Sequence, residues 1–151
     1  MTMPTYDATR ETEIAASPAD CFAVLTDYER MPEWQSRVTQ CNILSRDEEG
    51  RGHEVEYAID VKLRTVRYRL RHLYDEPTWI GSEYAGGDFR SFEGDYRFEQ
   101  HGDSTHVTFG LRIDPGLRVP GPVAKMLNEA VMGRALEDLK KRVEAVASGT
   151  Q

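Results

Sequence analysis

From Val38 to Ile113 apolar and polar residues alternate with a period of two, the pattern of strands with one buried face. HEVEYAIDVK (53–62) and TVRYRLRHLY (65–74) are the clearest runs. VTQCNIL, TWIGSEY, SFEGDYRFEQ and STHVTFGLRI extend them to about six strands, with DEEGRG, DEP, AGGD and HGDS as turns. Upstream, Thr9 to Ala16 predicts a first strand. SPAD then predicts a helix start, with Ser17 as N-cap, Pro18 at the first helical position and Asp20 in the first turn. CFAVLTDYERMPEW follows as two short helices, broken near Asp27 and ended near Pro32.

After DPGLRVPGP the period becomes helical, from about Val123 to Ala147. A single antiparallel sheet needs apolar cover on one face, and this helix is the only element long enough to supply it. Val123, Leu127 and Val131 form one stripe. Met132, Leu136, Leu139, Val143 and Val146 form a second, rotated by about one residue, with Gly133 at the changeover. Glycine inside a helix costs ~1 kcal/mol against alanine, so a bend there and a tolerated glycine are both open readings. The chain of 151 residues reads as one domain, 1–151, with a core of about 9–147.

RTVRYRLRH carries Arg64, Arg67, Arg69 and Arg71, a density that raises nucleic-acid binding. A tight turn over Lys62–Leu63–Arg64–Thr65 places Asp60 opposite Arg67 and Glu56 opposite Arg71. On the other face it places Ile59 opposite Tyr68, Tyr57 opposite Leu70 and Val55 opposite His72. Such cross-strand pairs contribute ~0.2–1 kcal/mol each. The arginines then form a solvated, acid-paired ladder rather than a phosphate-binding patch. The formal net charge of −7 also weighs against a nucleic-acid partner.

No apolar run approaches the ~20 residues of a membrane span, and the start lacks the pattern of a secretory signal. Cys21 and Cys41 are the only cysteines, and their spacing suits neither a disulfide framework nor a zinc site. The expectation is a cytoplasmic protein with reduced thiols, with transient membrane contact and a homodimer left open.

The same parity lists the inward face: His53, Val55, Tyr57, Ile59, Val61, Val66, Tyr68, Leu70, His72, Tyr74, Phe92, Tyr96, Phe98, Val107, Phe109, Leu111 and Ile113. Either Trp79 or Ile80 joins them; the pattern does not fix which. Tyrosine hydroxyls and histidines in a dry core need partners, whereas aromatic walls with a few polar groups describe a ligand cavity. Tyrosine tips reaching water at the sheet rim is the competing reading.

The whole chain resembles the START-like superfamily (SRPBCC), in its polyketide cyclase/dehydrase and lipid transport family. The resemblance rests on AASPADCFAVLTDYERMPEW, FEGDYRF, STHVTFGLRID and LNEAVMGRALEDLKKRVEAV, and covers roughly Glu11 to Val146. It implies an α+β helix-grip fold, a curved antiparallel sheet of about seven strands gripping a long C-terminal helix around an apolar cavity. The coenzyme Q-binding proteins and the aromatic polyketide cyclases are the subfamilies it comes closest to. The cyclases place a tyrosine, an inward arginine and a tryptophan where this chain has Val38, His72 and Gly94. These departures carry over no catalytic residue.

Other chemistry is sparse. His53, His72, His101 and His106 include no pair at helical metal spacing; His101 falls in a turn and His106 points outward, and no metal or cofactor is assigned. Glu83, Asp88, Glu93 and Asp95 around Gly86–Gly87 read as a hydrated turn. The first expectation is therefore binding of a small hydrophobic molecule: a lipid, an isoprenoid quinone or a polyketide-like aromatic. The expected contacts are Tyr57, Ile59, Tyr68, Leu70, His72, Trp79, Phe92, Tyr96, Phe109, Leu127 and Val131. The alternatives are a cyclase or dehydrase with His72 as general acid and Tyr68 or Tyr96 holding the enolate, and a protein-interaction module with a filled core.

Overall fold

The computed structural model describes residues 8–61, 64–116, 122, 125, 129 and 132–149. Strand β1 (Ala8–Ile14) leads into α1 (Pro18–Thr26) and a 3₁₀ helix (Tyr28–Glu33). Six strands follow: β2 (Val38–Arg46), β3 (Gly52–Asp60), β4 (Thr65–Asp75), β5 (Trp79–Gly87), β6 (Ser91–His101) and β7 (Ser104–Asp114). Helix α2 (Ala135–Ala147) ends the described elements. The seven strands form one antiparallel sheet in the order β1-β7-β6-β5-β4-β3-β2, so every hairpin partner is a sequence neighbour and β7 returns to β1. This is the expected α+β helix-grip fold.

Local chemistry sets the boundaries. Ser17 caps α1 by accepting from the Asp20 N–H at 3.2 Å, and Pro18 needs no partner in the first turn. The chain changes helix type at Asp27, and Pro32 lies inside the 3₁₀ segment, close to its end. On β4, Val66, Tyr68, Leu70 and His72 are buried while Arg67, Arg69 and Arg71 are exposed, as the alternation predicts.

The β3–β4 register differs from the predicted one. Tyr57 faces Tyr68, Ile59 faces Val66, Glu56 faces Arg69 and Glu54 faces Arg71. The reversal starts one residue earlier, with the Val61 N–H bonded to Arg64 O at 3.1 Å, and this moves every cross-strand partner by two. A shift of two leaves every side chain on its predicted face, and it brings Tyr57 and Tyr68 into a stack at 5.2 Å. The arginines find acids or carbonyls on the neighbouring strands: Arg71 meets Glu83 at 3.7 Å, and Arg69 donates to Ala85 O at 3.3 Å.

AGGD is not a simple turn, because β5 runs on to Gly87. Gly87 has φ +133°, and a Cβ there would sit 2.5 Å from the Tyr68 Cα and 2.6 Å from Arg67 O. Both obstacles are backbone. Gly87→Ala is expected to cost about 2 kcal/mol or more, read as a lower urea midpoint with an unchanged m-value.

The core lies between the inner sheet face and the helices. Ile14, Val55, Val107, Leu139 and Val143 are fully buried. Helix α2 is held to the rest at several points: Asp138 accepts from the Ser36 N–H at 2.8 Å, Glu144 accepts from the Ala15 N–H at 2.9 Å, and Arg142 reaches Glu33 at 3.1 Å. The helical backbone at Met132 breaks at Gly133–Arg134 and resumes at Ala135. Gly133 N–H closes the preceding turn on Glu129 O at 2.7 Å, and a Cβ at Gly133 would meet that oxygen at 2.5 Å. The glycine therefore marks an interruption rather than a tolerated helical residue. Cys21 and Cys41 are free, buried thiols. Among the described residues no helix is long and apolar enough to cross a membrane.

Candidate functional site

Inward alternation on β3–β7 places a row of rings beneath α1, the 3₁₀ helix and the first residue of α2. Together they line a cavity of about 80 Å³. Tyr57, Ile59, Tyr68, Leu70, His72, Phe92, Tyr96 and Phe109, all expected from the sequence, line it. Leu127 and Val131 lie outside the described residues. Trp79 is corrected: it sits on the outer sheet face and Ile80, 1 % exposed, takes the cavity side. The reason is local. The Trp79 indole lies flat over Gly81, which has no side chain to lift it, and its Nε1–H donates to Asp95 at 2.9 Å.

The sequence reading missed Leu25, Tyr28, Met31, Gln35, Ser82 and Ala135, which also line the cavity. Leu25, Tyr28 and Met31 are three residues apart, so successive turns of a 3₁₀-like path carry them on one face. That spacing was the available signal. Val38, His72 and Gly94, the positions where the chain departs from the cyclase pattern, all line the same cavity.

Two aromatic stacks lie on the inner face of the sheet and meet on β6, which carries both Phe92 and Tyr96. One stacks Tyr57, Tyr68 and Phe92, with centroids 5.2 and 5.5 Å apart. The other stacks Tyr96 on Phe109 at 4.2 Å, nearly parallel. Polar contacts within this shell are few. His72 lies under Tyr28 at 4.9 Å. Its Nδ1 is 3.3 Å from Gly81 O and 3.0 Å from Ser82 Oγ, and its Nε2 is 2.7 Å from the Tyr57 hydroxyl. A carbonyl only accepts, so the arrangement assigns the ring proton to Nδ1 and makes Nε2 the acceptor of the Tyr57 proton. Burial pushes the His72 pKa down to about 4, so the ring is neutral at pH 7. An imidazolium acting as general acid, as the enzymatic alternative required of His72, is not the resting form. Tyr28 and Tyr74 form a second chain, joined at 2.8 Å and ending on Gly52 O.

Tyr68 and Tyr96 are different. Desolvation raises both phenol pKa values, and neither hydroxyl has a hydrogen-bond partner among the described residues. No fully enclosed side-chain polar atom among the described residues lacks a partner. These two oxygens therefore open onto the cavity itself. Two unsatisfied phenols in an aromatic shell are an arrangement for an oxygen-bearing guest or for ordered water.

A sequence profile described as polyketide cyclase/dehydrase and lipid transport matches residues 5–144. No curated protein sequence matches significantly. Among solved structures, a START superfamily protein from Mycobacterium smegmatis is 26% identical, with a TM-score of 0.80 over 92% of this chain and 97% of its own. A protein from Thermus thermophilus is 22% identical, with a TM-score of 0.77 over 92% of this chain and 97% of its own. The Zhui aromatase/cyclase from Streptomyces is 14% identical, with a TM-score of 0.75 over 95% of this chain and 98% of its own. At these last two identities the likeness is one of fold.

Proposed function

The chain belongs to the polyketide cyclase/dehydrase and lipid transport family, and we propose that it binds a planar, mainly apolar molecule carrying one or two oxygen atoms. The observation that carries this reading is the pair of open hydroxyls, Tyr68 and Tyr96, one in each aromatic stack. An aromatic lining favours a fused-ring or quinone-like guest over a saturated chain, because aromatic pairs, edge-on or offset, add ~0.5–1.5 kcal/mol beyond area burial. Apolar burial supplies affinity at ~25 cal/mol per Å², and the phenols orient the oxygens. The Tyr57–His72–Ser82 chain adds an acceptor at the Tyr57 oxygen and a donor at the Ser82 hydroxyl.

Size bears on this reading. At about 80 Å³ the cavity is well below the ~300–1,000 Å³ of ordinary ligand pockets. The guest must therefore displace part of the lining. The interruption at Gly133–Arg134, next to Ala135 of the cavity wall, is the natural place for that movement.

The test compares 2-naphthol, naphthalene and palmitate by calorimetry on wild type and on the Tyr68→Phe/Tyr96→Phe double variant. Each lost hydrogen bond is worth ~0.5–1.5 kcal/mol. The double variant is therefore expected to bind 2-naphthol about tenfold or more weakly while naphthalene is unaffected. Preference for palmitate in both proteins, or equal loss of both aromatics, would reject the oriented planar guest.

Catalysis is a second reading, favoured by the enclosed Tyr57–His72–Ser82 chain, in which the Tyr57 oxygen, its own proton held by neutral His72, would accept a hydrogen bond from the substrate. It requires that a poly-keto thioester be turned over by wild type and released unchanged by Tyr57→Phe. A protein that binds such a thioester without converting it is a carrier.

A further inference from the structure

The outer face of the sheet, opposite the cavity, carries a second constellation. Glu13 on β1 is the register partner of His106 on β7, and His101 closes β6 beside them. The Glu13 Oε1 lies 2.7 Å from His106 Nδ1 and 3.2 Å from His101 Nδ1. The three ligand atoms all lie within 4.8 Å of one another.

We propose that Glu13, His101 and His106 form a binding site for a divalent transition metal of zinc(II) type, held through the two Nδ1 atoms and the Glu13 carboxylate. The independent observation is what the far side of each ring does. His106 Nε2 is 2.8 Å from Glu11, and His101 Nε2 is 2.8 Å from Glu99. A metal-bound histidine characteristically gives its other N–H to a carboxylate, which fixes the tautomer and aims the free nitrogen at the ion. Here both rings have that support, and both aim Nδ1 at the same carboxylate. The rings lie side by side at 5.3 Å and 18°.

Zinc–nitrogen and zinc–oxygen bonds of ~2.0–2.2 Å set donor atoms ~3.3–3.5 Å apart in a tetrahedron. The shortest separation here, 2.7 Å, therefore has to widen by less than about 1 Å. All three side chains are at least partly exposed, so Glu13 and the two rings have room to turn toward an ion. Binding replaces the proton on each Nδ1. Two nitrogens and one oxygen suit zinc, copper or nickel rather than magnesium or calcium. Three carboxylates around two imidazoles also supply a negative field for a cation. The fourth position faces solvent and would hold water.

The test uses full-length, tag-free, chelator-treated protein. Cobalt(II) is titrated and followed by its visible absorption, and zinc(II) is then added in competition. One equivalent of cobalt with a four-coordinate spectrum, displaced by zinc, is expected. His106→Ala, His101→Ala and Glu13→Gln are each expected to weaken binding by about 10-fold or more. Glu11→Gln and Glu99→Gln should each weaken it by less than loss of the histidine they support. Magnesium should not compete. Unaltered circular dichroism in each variant ties the loss to the ligand. No saturable cobalt spectrum, or a spectrum that survives the His101→Ala/His106→Ala double variant, would overturn the proposal and leave an ion-pair network.

Discussion

Acidification from about pH 7 to about pH 4 is expected to remove about 3 kcal/mol of folding stability through His72 alone. The folded ring titrates at about 4 because it is buried, while in the unfolded chain it titrates near 6.5. Between those values the unfolded chain binds a proton that the folded protein does not, so stability rises with pH through this window. The contribution is complete above about 6.5 and gone below about 4. At about 1.4 kcal/mol per pH step, the window amounts to about 3 kcal/mol. Other shifted groups act elsewhere. Asp47 and Glu144 have lowered pKa values through hydrogen bonds and ion pairs, and they lose their contribution only as pH falls below the ordinary carboxylate range. His101 and His106 are raised by their carboxylates, so their contribution is present below 6.5 and lost as pH rises through their folded values. The His72 window between about 4.5 and 6.5 is therefore separable. Urea unfolding of wild type and His72→Gln across this range is the measurement. Wild type should lose stability steadily and the variant should lose far less. Parallel curves would mean that His72 titrates as a solvated ring and that the enclosed Tyr57–His72–Ser82 chain does not exist.

The faces of the sheet were readable because alternation is a local property. Val66, Tyr68, Leu70 and His72 must share a side whatever they pack against, and the two-residue register difference at β3–β4 left that untouched. The register itself was less readable, because acid–arginine pairing on the outer face is satisfied in more than one alignment. Tyr57–Tyr68 stacking and a reversal starting at Val61 decided it, and neither is visible in a pattern of polar and apolar letters. Trp79 shows the same limit. Its strand has Gly81 and Ser82 in sequence, so apolar periodicity is weak there, and the buried Asp95 that receives the indole N–H comes from another strand.

The two sites differed in legibility for a similar reason. Tyr68 and Tyr96 announced the cavity because two tyrosines on an apolar face demand an explanation. That their hydroxyls lack partners among the described residues is a fact of packing only. The Glu13–His101–His106 group escaped a search for histidines at helical spacing because its atoms come from three strands. In a sheet, metal ligands are assembled across the ladder, and sequence distance says nothing about them. Once β7 is known to lie between β1 and β6, the alternation of Glu11, Glu13, His106, Glu99 and His101 places them all on one outer face.

Ala135→Leu is expected to weaken binding of 2-naphthol about 100-fold while leaving the protein as stable as before or more so. Ala135 is 2 % exposed, opens α2 and lines the cavity from the helix side. Three further carbons there enter the empty space directly. Filling a dry void of 80 Å³ would stabilise by about 2 kcal/mol, at ~24 cal/mol per Å³. The gain here should be smaller, because waters bonded to Tyr68 and Tyr96 are displaced by a side chain that offers them nothing. Binding and stability thus move in opposite directions, a result that damage to the fold cannot produce. Loss of affinity of about 100-fold with an unchanged or higher melting temperature supports a functional cavity between sheet and helix. Unchanged affinity places the guest elsewhere. A large drop in stability means that the space is too tightly packed to admit an isobutyl group, the outcome expected of an interaction module whose core is already full.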